Sequence, residues 1–376
     1  MTAPLRLGII GTGWGKVHAQ AARDLAGDVE VSAIWSRRPE QCEAAAAELG
    51  LPASAREADW QALVERDDVD VVVIAAPDQL HRDIAVAAAG RGKHLVCEKP
   101  LAQTAAEAET MLDAVRAAGV RHFTGFLWRY AAPVATVKEL LEHDRLGSVL
   151  ALDMQFRLGP PRPGRQWQHV RYGGVLSNLV VHMVDLARYL QAPGQPGGPS
   201  TWQVWAHTAA EPGSAGLSPN QAWLHLQCET GLSVRLQASQ DWGIRTDFPL
   251  RVEVHGSRAS AVARANPLRP ESDRVELVEQ LSGAAEEQAL CHPGGRPSPP
   301  GSSTSASAYL LPATRHLYRA FVLPALRRPA AGDAPISADA STLSDAPSFA
   351  DGLLAQQILD TALRSVRSRT WEPISW

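Results

Sequence analysis

Leu5-Arg6-Leu7-Gly8-Ile9-Ile10 runs directly into Gly11-Thr12-Gly13-Trp14-Gly15, and this stretch decides how the rest of the chain is read. An apolar run that breaks into glycines is what a buried strand does when it must turn tightly beneath a dinucleotide pyrophosphate. Gly11 and Gly13 stand where the tight turn and the close backbone approach need them. The third glycine of the usual spacing would fall at position 16, which is Lys16. Gly15 serves instead if the loop is one residue shorter. The amphipathic stretch 16–26 follows at once, so the glycines lie between a strand and a helix, as that reading requires.

The same alternation continues outward. Apolar runs rich in Val, Ile and Leu recur at 29–35, 71–76, 93–97 and 121–124, separated by amphipathic stretches at 39–49, 80–91 and 104–118. Strands alternating with helices predict a parallel sheet covered on both faces. Residues 1–125 are therefore expected to form a doubly wound, Rossmann-type NAD(P)-binding domain. Beyond it, 130–142 reads as a helix, while 150–157, 201–208, 222–228, 232–239 and 249–255 alternate like strands of an antiparallel sheet. Residues 175–190 read as a buried helix, 308–326 as an apolar helix and 347–366 as a last, amphipathic one. The Gly-, Ser- and Pro-rich stretch 282–306 is expected to be a flexible loop. Trp202, Trp205, Trp223 and Trp242 are read as filling a sheet face or a subunit interface rather than stacking on sugar rings.

A chain of 376 residues is long for one core, so two domains are the default. The net charge of −4 argues against a nucleic-acid partner. No apolar stretch is long enough to span a membrane, and Met1 leads into the first strand with no basic leader, so a cytoplasmic protein is expected. Cys42, Cys97, Cys228 and Cys291 are scattered with no metal-ligand spacing; reduced thiols and no bound metal are expected. No Gly-x-Ser-x-Gly elbow supports a hydrolase.

Three segments point to a cofactor and to chemistry beside it. The second strand ends Ala33-Ile34-Trp35-Ser36-Arg37-Arg38. An NAD-selective site usually places Asp or Glu here, whereas a hydroxyl and two guanidiniums suit an adenosine 2′-phosphate. NADP(H) is therefore favoured over NAD(H). After the third strand, Ala75-Ala76-Pro77-Asp78-Gln79-Leu80-His81 offers small residues that let a cofactor cross the sheet edge, with Ala76, Pro77 and His81 as pocket candidates. Cys97-Glu98-Lys99-Pro100 then puts a lysine at the end of a buried strand. Pro100 restricts the Lys99 backbone and admits a cis bond before it. The cofactor set is Gly11, Thr12, Gly13, Trp14, Gly15, Ser36, Arg37, Arg38, Ala76, Pro77, His81, Glu98 and Lys99.

These pieces resemble the Gfo/Idh/MocA oxidoreductases (glucose–fructose oxidoreductase, inositol dehydrogenase and relatives). The matching segments are Gly11 to His18, Ala76 to His81, Glu98-Lys99-Pro100, Gly125 to Tyr130, Gly173-Gly174 to Asp185, and Asp351-Gly352. The resemblance implies a Rossmann domain followed, over 126–376, by an α+β substrate-binding and oligomerisation domain. That second domain would carry a large, open, predominantly antiparallel sheet and assemble a homodimer or homotetramer through it. It also implies that Lys99 and His182 surround the reacting carbon. By itself, a histidine on an apolar helix is more often a satisfied core residue. Asn178 lies four residues before His182, on the same helical face, where the family usually has Asp. An amide can orient the imidazole but cannot stabilise its charged form. Val180 replaces a frequent glycine.

The expected activity is hydride transfer between nicotinamide C4 and a hydroxyl- or carbonyl-bearing carbon of a sugar, cyclitol or related polyol. Catalytic candidates are Lys99, His182 and Asn178. Substrate candidates are Lys99, Trp128, Arg129, Arg157, Trp167, Asn178 and His182, with Tyr130, Arg165 and Tyr172 nearby. Asn178 also keeps reduction of an imine or other carbonyl analogue open as an alternative. A non-catalytic NADP-binding regulator is a further alternative, against which the presence of both Lys99 and His182 argues.

Overall fold

A computed structural model describes residues 3–159, 174–191, 202–210, 219–229, 231–240, 249–279, 285–290, 306–326 and 345–374. The chain divides into two compact units, Met1–Leu127 with Leu310–Leu353, and Trp128–Tyr309 with Leu354–Trp376. The expected division at 125 treated the chain as two consecutive stretches. The first unit is instead completed by residues that return from far along the sequence.

In the first unit, β1 (Leu5–Ile10), β2 (Val29–Trp35), β3 (Val71–Ile74), β4 (His94–Cys97) and β5 (His122–Thr124) form a parallel sheet in the order β2-β1-β3-β4-β5. The connecting helices are α1 (Gly15–Asp24), α2 (Pro39–Leu49), α3 (Trp60–Glu65), α4 (His81–Gly90) and α5 (Ala105–Ala117). The near-continuous Val/Ile runs are buried because helices cover both faces. Ile10, Leu63, Ile74, Ile84, Leu95 and Met111 share one core. Local chemistry sets the helix ends. Pro39 opens α2, and Gly50 closes it in the left-handed region at φ 67°. Thr104 caps α5 by accepting from the Glu107 N–H, and the Glu107 carboxylate accepts from the Gln103 N–H just before the cap. Helix α3 escaped the periodicity reading. Its one local signal was Asp59, whose carboxylate accepts from the Ala62 N–H at 2.7 Å.

The second unit is built on a nine-stranded sheet: β6 (Val149–Leu158), β7 (Trp202–Ala209), β8 (Gln221–Cys228), β9 (Ser233–Gln240), β10 (Leu250–Gly256), β11 (Ala259–Ala265), β12 (Arg274–Glu279), β13 (Ala285–Gln288) and β14 (Glu372–Pro373). Their order is β13-β12-β11-β10-β6-β9-β8-β7-β14, and every pairing is antiparallel except β6 with β9. The expected antiparallel sheet is present and larger than the alternation revealed. Ala285–Gln288, assigned to the flexible loop, is a strand hydrogen-bonded to β12. Residues 282–284 and 291–305 of that loop, and Trp242, lie outside the described residues.

Helix α6 (Ala132–Glu142) packs on β11 and β12, and α7 (Val181–Tyr189) on β6, whose Leu152, Met154 and Phe156 are buried on one face. Along β6, Asp153, Gln155 and Arg157 alternate onto the other, half-exposed face. Trp202 is buried, whereas Trp205 and Trp223 stand on the half-exposed face. The predicted helix over 175–190 is interrupted. Leu176–Val180 is a π segment, and regular α-helix begins only at Val181.

The return to the first unit comes after Tyr309. Helix α8 (Ala306–His316), a π segment (Leu317–Val322) and α9 (Leu323–Leu326) precede the final helix α10 (Phe349–Ser368). Three hydrogen bonds tie β5 to the residues that open α10. The Thr124 N–H donates to the Pro347 carbonyl (2.7 Å), the Thr124 hydroxyl to the Ser348 carbonyl (2.8 Å), and the Phe349 N–H to His122 Nδ1 (3.1 Å). Cys42 and Cys97 are buried free thiols, and Cys228 is buried. Among the described residues, no helix is long and apolar enough to cross a membrane.

Candidate active site

The glycine turn of the first unit is shaped as a cradle. Gly11 has φ +102°, and a Cβ there would stand 2.3 Å from the Ala75 carbonyl oxygen, so only glycine fits on both counts. A Cβ on Gly15 would meet Ile9 Cγ2 at 2.7 Å. Gly15 thus lets α1 pack closely on β1, the task of the missing third glycine. Gly13 is exposed, and a Cβ on it would meet nothing within 4 Å. The turn is open at Gly13, and the first turn of α1 carries no acidic residue to repel a phosphate. These features fit a dinucleotide pyrophosphate.

At the end of β2, Ser36 is buried and accepts from the Thr12 hydroxyl at 3.2 Å, which joins two of the expected cofactor residues. Arg37 and Arg38 follow it and are exposed. Trp14 and Ala76 are half-buried, and Pro77 is exposed. His81 departs from expectation. Its ring is 1% exposed, with Nε2 3.0 Å from the Ala76 carbonyl and Nδ1 3.1 and 3.2 Å from those of Pro100 and Leu101. His81 clamps the loop after β3 to the loop after β4, and both nitrogens are committed to main chain.

Lys99 lies two residues past β4, half-buried, and its bond to Pro100 is cis. Burial lowers the pKa of its ammonium below the ordinary lysine value, against the opposing pull of the Glu98 and Asp78 carboxylates. A lysine so placed exchanges its proton more readily than a solvated one, as acid–base work requires. Glu98, assigned to the cofactor, turns its carboxylate inward: Oε1 lies 3.0 Å from His18 Nε2. Sequence reading missed the role of His18, because one histidine on the apolar side of α1 looks like any core residue.

In the second unit, His182 lies one residue into α7 and is 8% exposed. Aromatic rings surround it. Trp128 and Phe156 have centroids 6.4 and 6.2 Å from the imidazole. Trp128 also packs on Phe156 at 5.1 Å and on Tyr309 at 5.6 Å. The Tyr309 hydroxyl donates to Asp273 at 2.5 Å. Burial pushes the Asp273 carboxyl up to about 7, although Tyr309 and the Asn266 N–H both favour its charged form. Asn178 is half-buried within the π segment. Single π-turns inside helices are frequent at functional sites.

Two substrate candidates serve other purposes. Arg129 is 2% exposed and forms a two-pronged ion pair with Asp185, Nε to Oδ2 at 2.9 Å and Nη2 to Oδ1 at 2.5 Å. Its guanidinium also lies 5.1 Å from the Tyr189 ring centroid. This pair ties the segment before α6 to α7, and removing either partner would strand a buried charge at a cost of about 3–5 kcal/mol. Arg157 stands on the face of β6 opposite Phe156, and so opposite His182, where it donates to Gln237 at 3.3 Å. Tyr130 is buried. Arg165, Trp167 and Tyr172 lie outside the described residues.

Comparison with known proteins agrees with this architecture. A GFO/IDH/MocA model described as "Oxidoreductase family, NAD-binding Rossmann fold" matches residues 5–126, and the "GFO/IDH/MocA C-terminal domain" model matches residues 134–262. The chain belongs to the Gfo/Idh/MocA oxidoreductase family. Levoglucosan dehydrogenase of Pseudarthrobacter phenanthrenivorans is 35% identical over 200 residues, 50% of this chain and 51% of that protein. D-xylose 1-dehydrogenase (NADP(+)) 2 of Haloferax volcanii is 29% identical over 240 residues, 63% of this chain and 70% of that one. The match to the levoglucosan enzyme thus spans only about half of its length. Among solved structures, levoglucosan dehydrogenase in complex with NADH and levoglucosan superposes with a TM-score of 0.79 at 23% identity, covering 99% of this chain and 100% of that chain. That likeness shows the fold.

Proposed function

We propose that the protein is an NADP(H)-dependent dehydrogenase or reductase. It would exchange hydride between nicotinamide C4 and a hydroxyl- or carbonyl-bearing carbon of a sugar, cyclitol or related polyol. The observation that carries this reading is Lys99, a lysine with a burial-lowered pKa just past β4 in a unit whose glycine turn fits a dinucleotide. The nicotinamide supplies the redox chemistry when bound. Lys99 hydrogen-bonds the reacting oxygen and stabilises its alkoxide character. His182 gives or takes the proton at that oxygen, and Asn178 orients the imidazole without adding charge to it. The buried rings of Trp128 and Phe156 beside His182 keep water from competing for that proton. The sugar class rests on the family resemblance and on the names of the relatives; the 2′-phosphate preference rests on Ser36, Arg37 and Arg38.

The test is NADPH and NADH oxidation with a panel of keto-sugars and aldehydes, extended to cyclic imines because of Asn178. Lys99→Ala is expected to lower turnover by roughly 10²–10⁴-fold with little loss of cofactor affinity, the usual size of an acid–base contribution. Turnover unchanged in that variant would make the lysine structural. Tight cofactor binding with no turnover across the panel would favour a regulator.

A homodimer or homotetramer through the nine-stranded sheet is part of the same proposal. Its half-exposed face, with Trp205 37% exposed, supports it, and a monomer in sedimentation would refute it. Buried free thiols support a reducing, cytoplasmic setting.

A further inference from the structure

Three buried polar groups stand in line beside Lys99, and no step proposed above uses them. His18 and Tyr318 are both 0% exposed and Glu98 is 6% exposed. His18 Nδ1 lies 3.0 Å from the Tyr318 hydroxyl and Nε2 lies 3.0 Å from Glu98 Oε1. The groups come from α1, from the π segment after α8, and from the end of β4.

Accounting for hydrogens assigns the direction of this line. The Tyr318 hydroxyl has a proton to place, and among the described residues its one hydrogen-bond partner is His18 Nδ1. Burial, reinforced by the Glu98 charge, raises the Tyr318 pKa far above the ordinary phenol value, so the hydroxyl keeps its proton. If the hydroxyl donates, Nδ1 accepts, the imidazole is neutral, and its proton sits on Nε2 facing Glu98. Glu98 then accepts. Its room is protected on the far side, because a Cβ on Gly125 would stand 3.0 Å from the carboxylate.

We infer that Tyr318 and His18 form a positioning relay, Tyr318 O–H to Nδ1 and Nε2–H to Glu98, which holds the Glu98 carboxylate in place and so supports the ammonium form of its neighbour Lys99. This inference rests on the acid–base role proposed for Lys99. Among the described residues, Glu98 and Asp78 act on Lys99 by charge, both opposing the effect of burial. Those within reach of Glu98 are Lys99, His18, Tyr318 and the buried Cys97 thiol, whose pKa burial and Glu98 together raise. Without a donor from His18, the buried carboxylate loses the hydrogen bond that holds it in place. Lys99 then gives up its proton at lower pH. His18 and Tyr318 are positioning residues, since they act on chemistry only through Glu98 and Lys99.

The test uses the full chain without cofactor or substrate. Nitrogen NMR reads the His18 ring near neutral pH. A neutral imidazole protonated at Nε2 is expected; an Nδ1-protonated ring or an imidazolium overturns the relay. Lys99 is titrated by the resonance of its ε-carbon, which is tractable because Lys16, Lys93, Lys99 and Lys138 are the chain's four lysines. Glu98→Gln and His18→Leu are each expected to lower the Lys99 midpoint by about one unit, the loss of one nearby opposite charge. His18→Gln restores a donor toward Glu98 and is expected to recover most of that shift. An unmoved midpoint in folded His18→Leu overturns the inference. Should His18→Leu not fold, His18→Asn takes its place, because its shorter amide stops on the Tyr318 side. These titrations need no turnover. Their failure leaves the Lys99→Ala result standing, while normal titrations in an inactive protein sink the functional reading alone.

Discussion

At the scale of single residues, the chain shows how little a residue's type says about its use. Arg129 and Arg157 read as equal substrate candidates. One is sealed against Asp185 and the other stands on the far face of β6. Arg37 and Arg38 are exposed beside a buried Ser36, which is where a selective cation has to be to meet a phosphate arriving from solvent. Guanidinium pairs with phosphate by charge and by paired hydrogen bonds, and the diol of NADH offers neither partner. Arg37→Ala is therefore expected to raise the KM for NADPH by about tenfold or more, the loss of one charge-assisted contact, while leaving that for NADH nearly unchanged. Steady-state kinetics with both cofactors decides this, and equal effects would refute the 2′-phosphate assignment.

At the scale of elements, helix ends and strand edges decide what is coupled to what. The join between β5 and the start of α10 depends on His122 Nδ1 accepting from the Phe349 N–H. Burial, with Arg116 and Arg121 adding to it, lowers the pKa of His122 from 6.5 to about 4, against a weaker opposing pull from Asp351. The unfolded chain therefore takes up this proton first as pH falls, and stability is lost progressively from about pH 6.5 down to about pH 4. His122→Asn keeps a side-chain oxygen acceptor and cannot titrate. It is expected to flatten this acid limb, measured by urea unfolding at about pH 7 and about pH 5; the same loss in both proteins would exclude His122 as its source. The π segment over Leu176–Val180 is also a matter of elements. Asn178 and His182 remain four residues apart, but the turn between them is not the regular one that the spacing argument assumed.

At the scale of the whole molecule, the functional reading assigns one proton transfer to two groups far apart in the chain, Lys99 and His182. Groups acting on one proton transfer are strongly non-additive when removed. The Lys99→Ala/His182→Ala double variant is expected to lose little more turnover than the worse of the two single variants. Losses that multiply would show that the two residues act independently and would break the proposed division of labour.

The parallel sheet, the glycine turn and the lysine just past β4 were legible because each is written in consecutive residues. A strand buried on both faces must be continuously apolar, and a turn without room for a Cβ must be glycine. The strands of the second sheet were legible where they alternate cleanly; Ala285–Gln288, with two glutamates and a glutamine, carried no such signal. Of the candidate site, the residue types were readable, but their partners were not. Tyr318 lies 300 positions from His18, and nothing local marks either one. The sequence by itself determined the class of fold and the glycine turn, because local sterics and periodicity impose them. Only the tertiary structure decided which buried polar groups meet, since a hydrogen bond across hundreds of residues is specified by packing and leaves no pattern in the order of the chain.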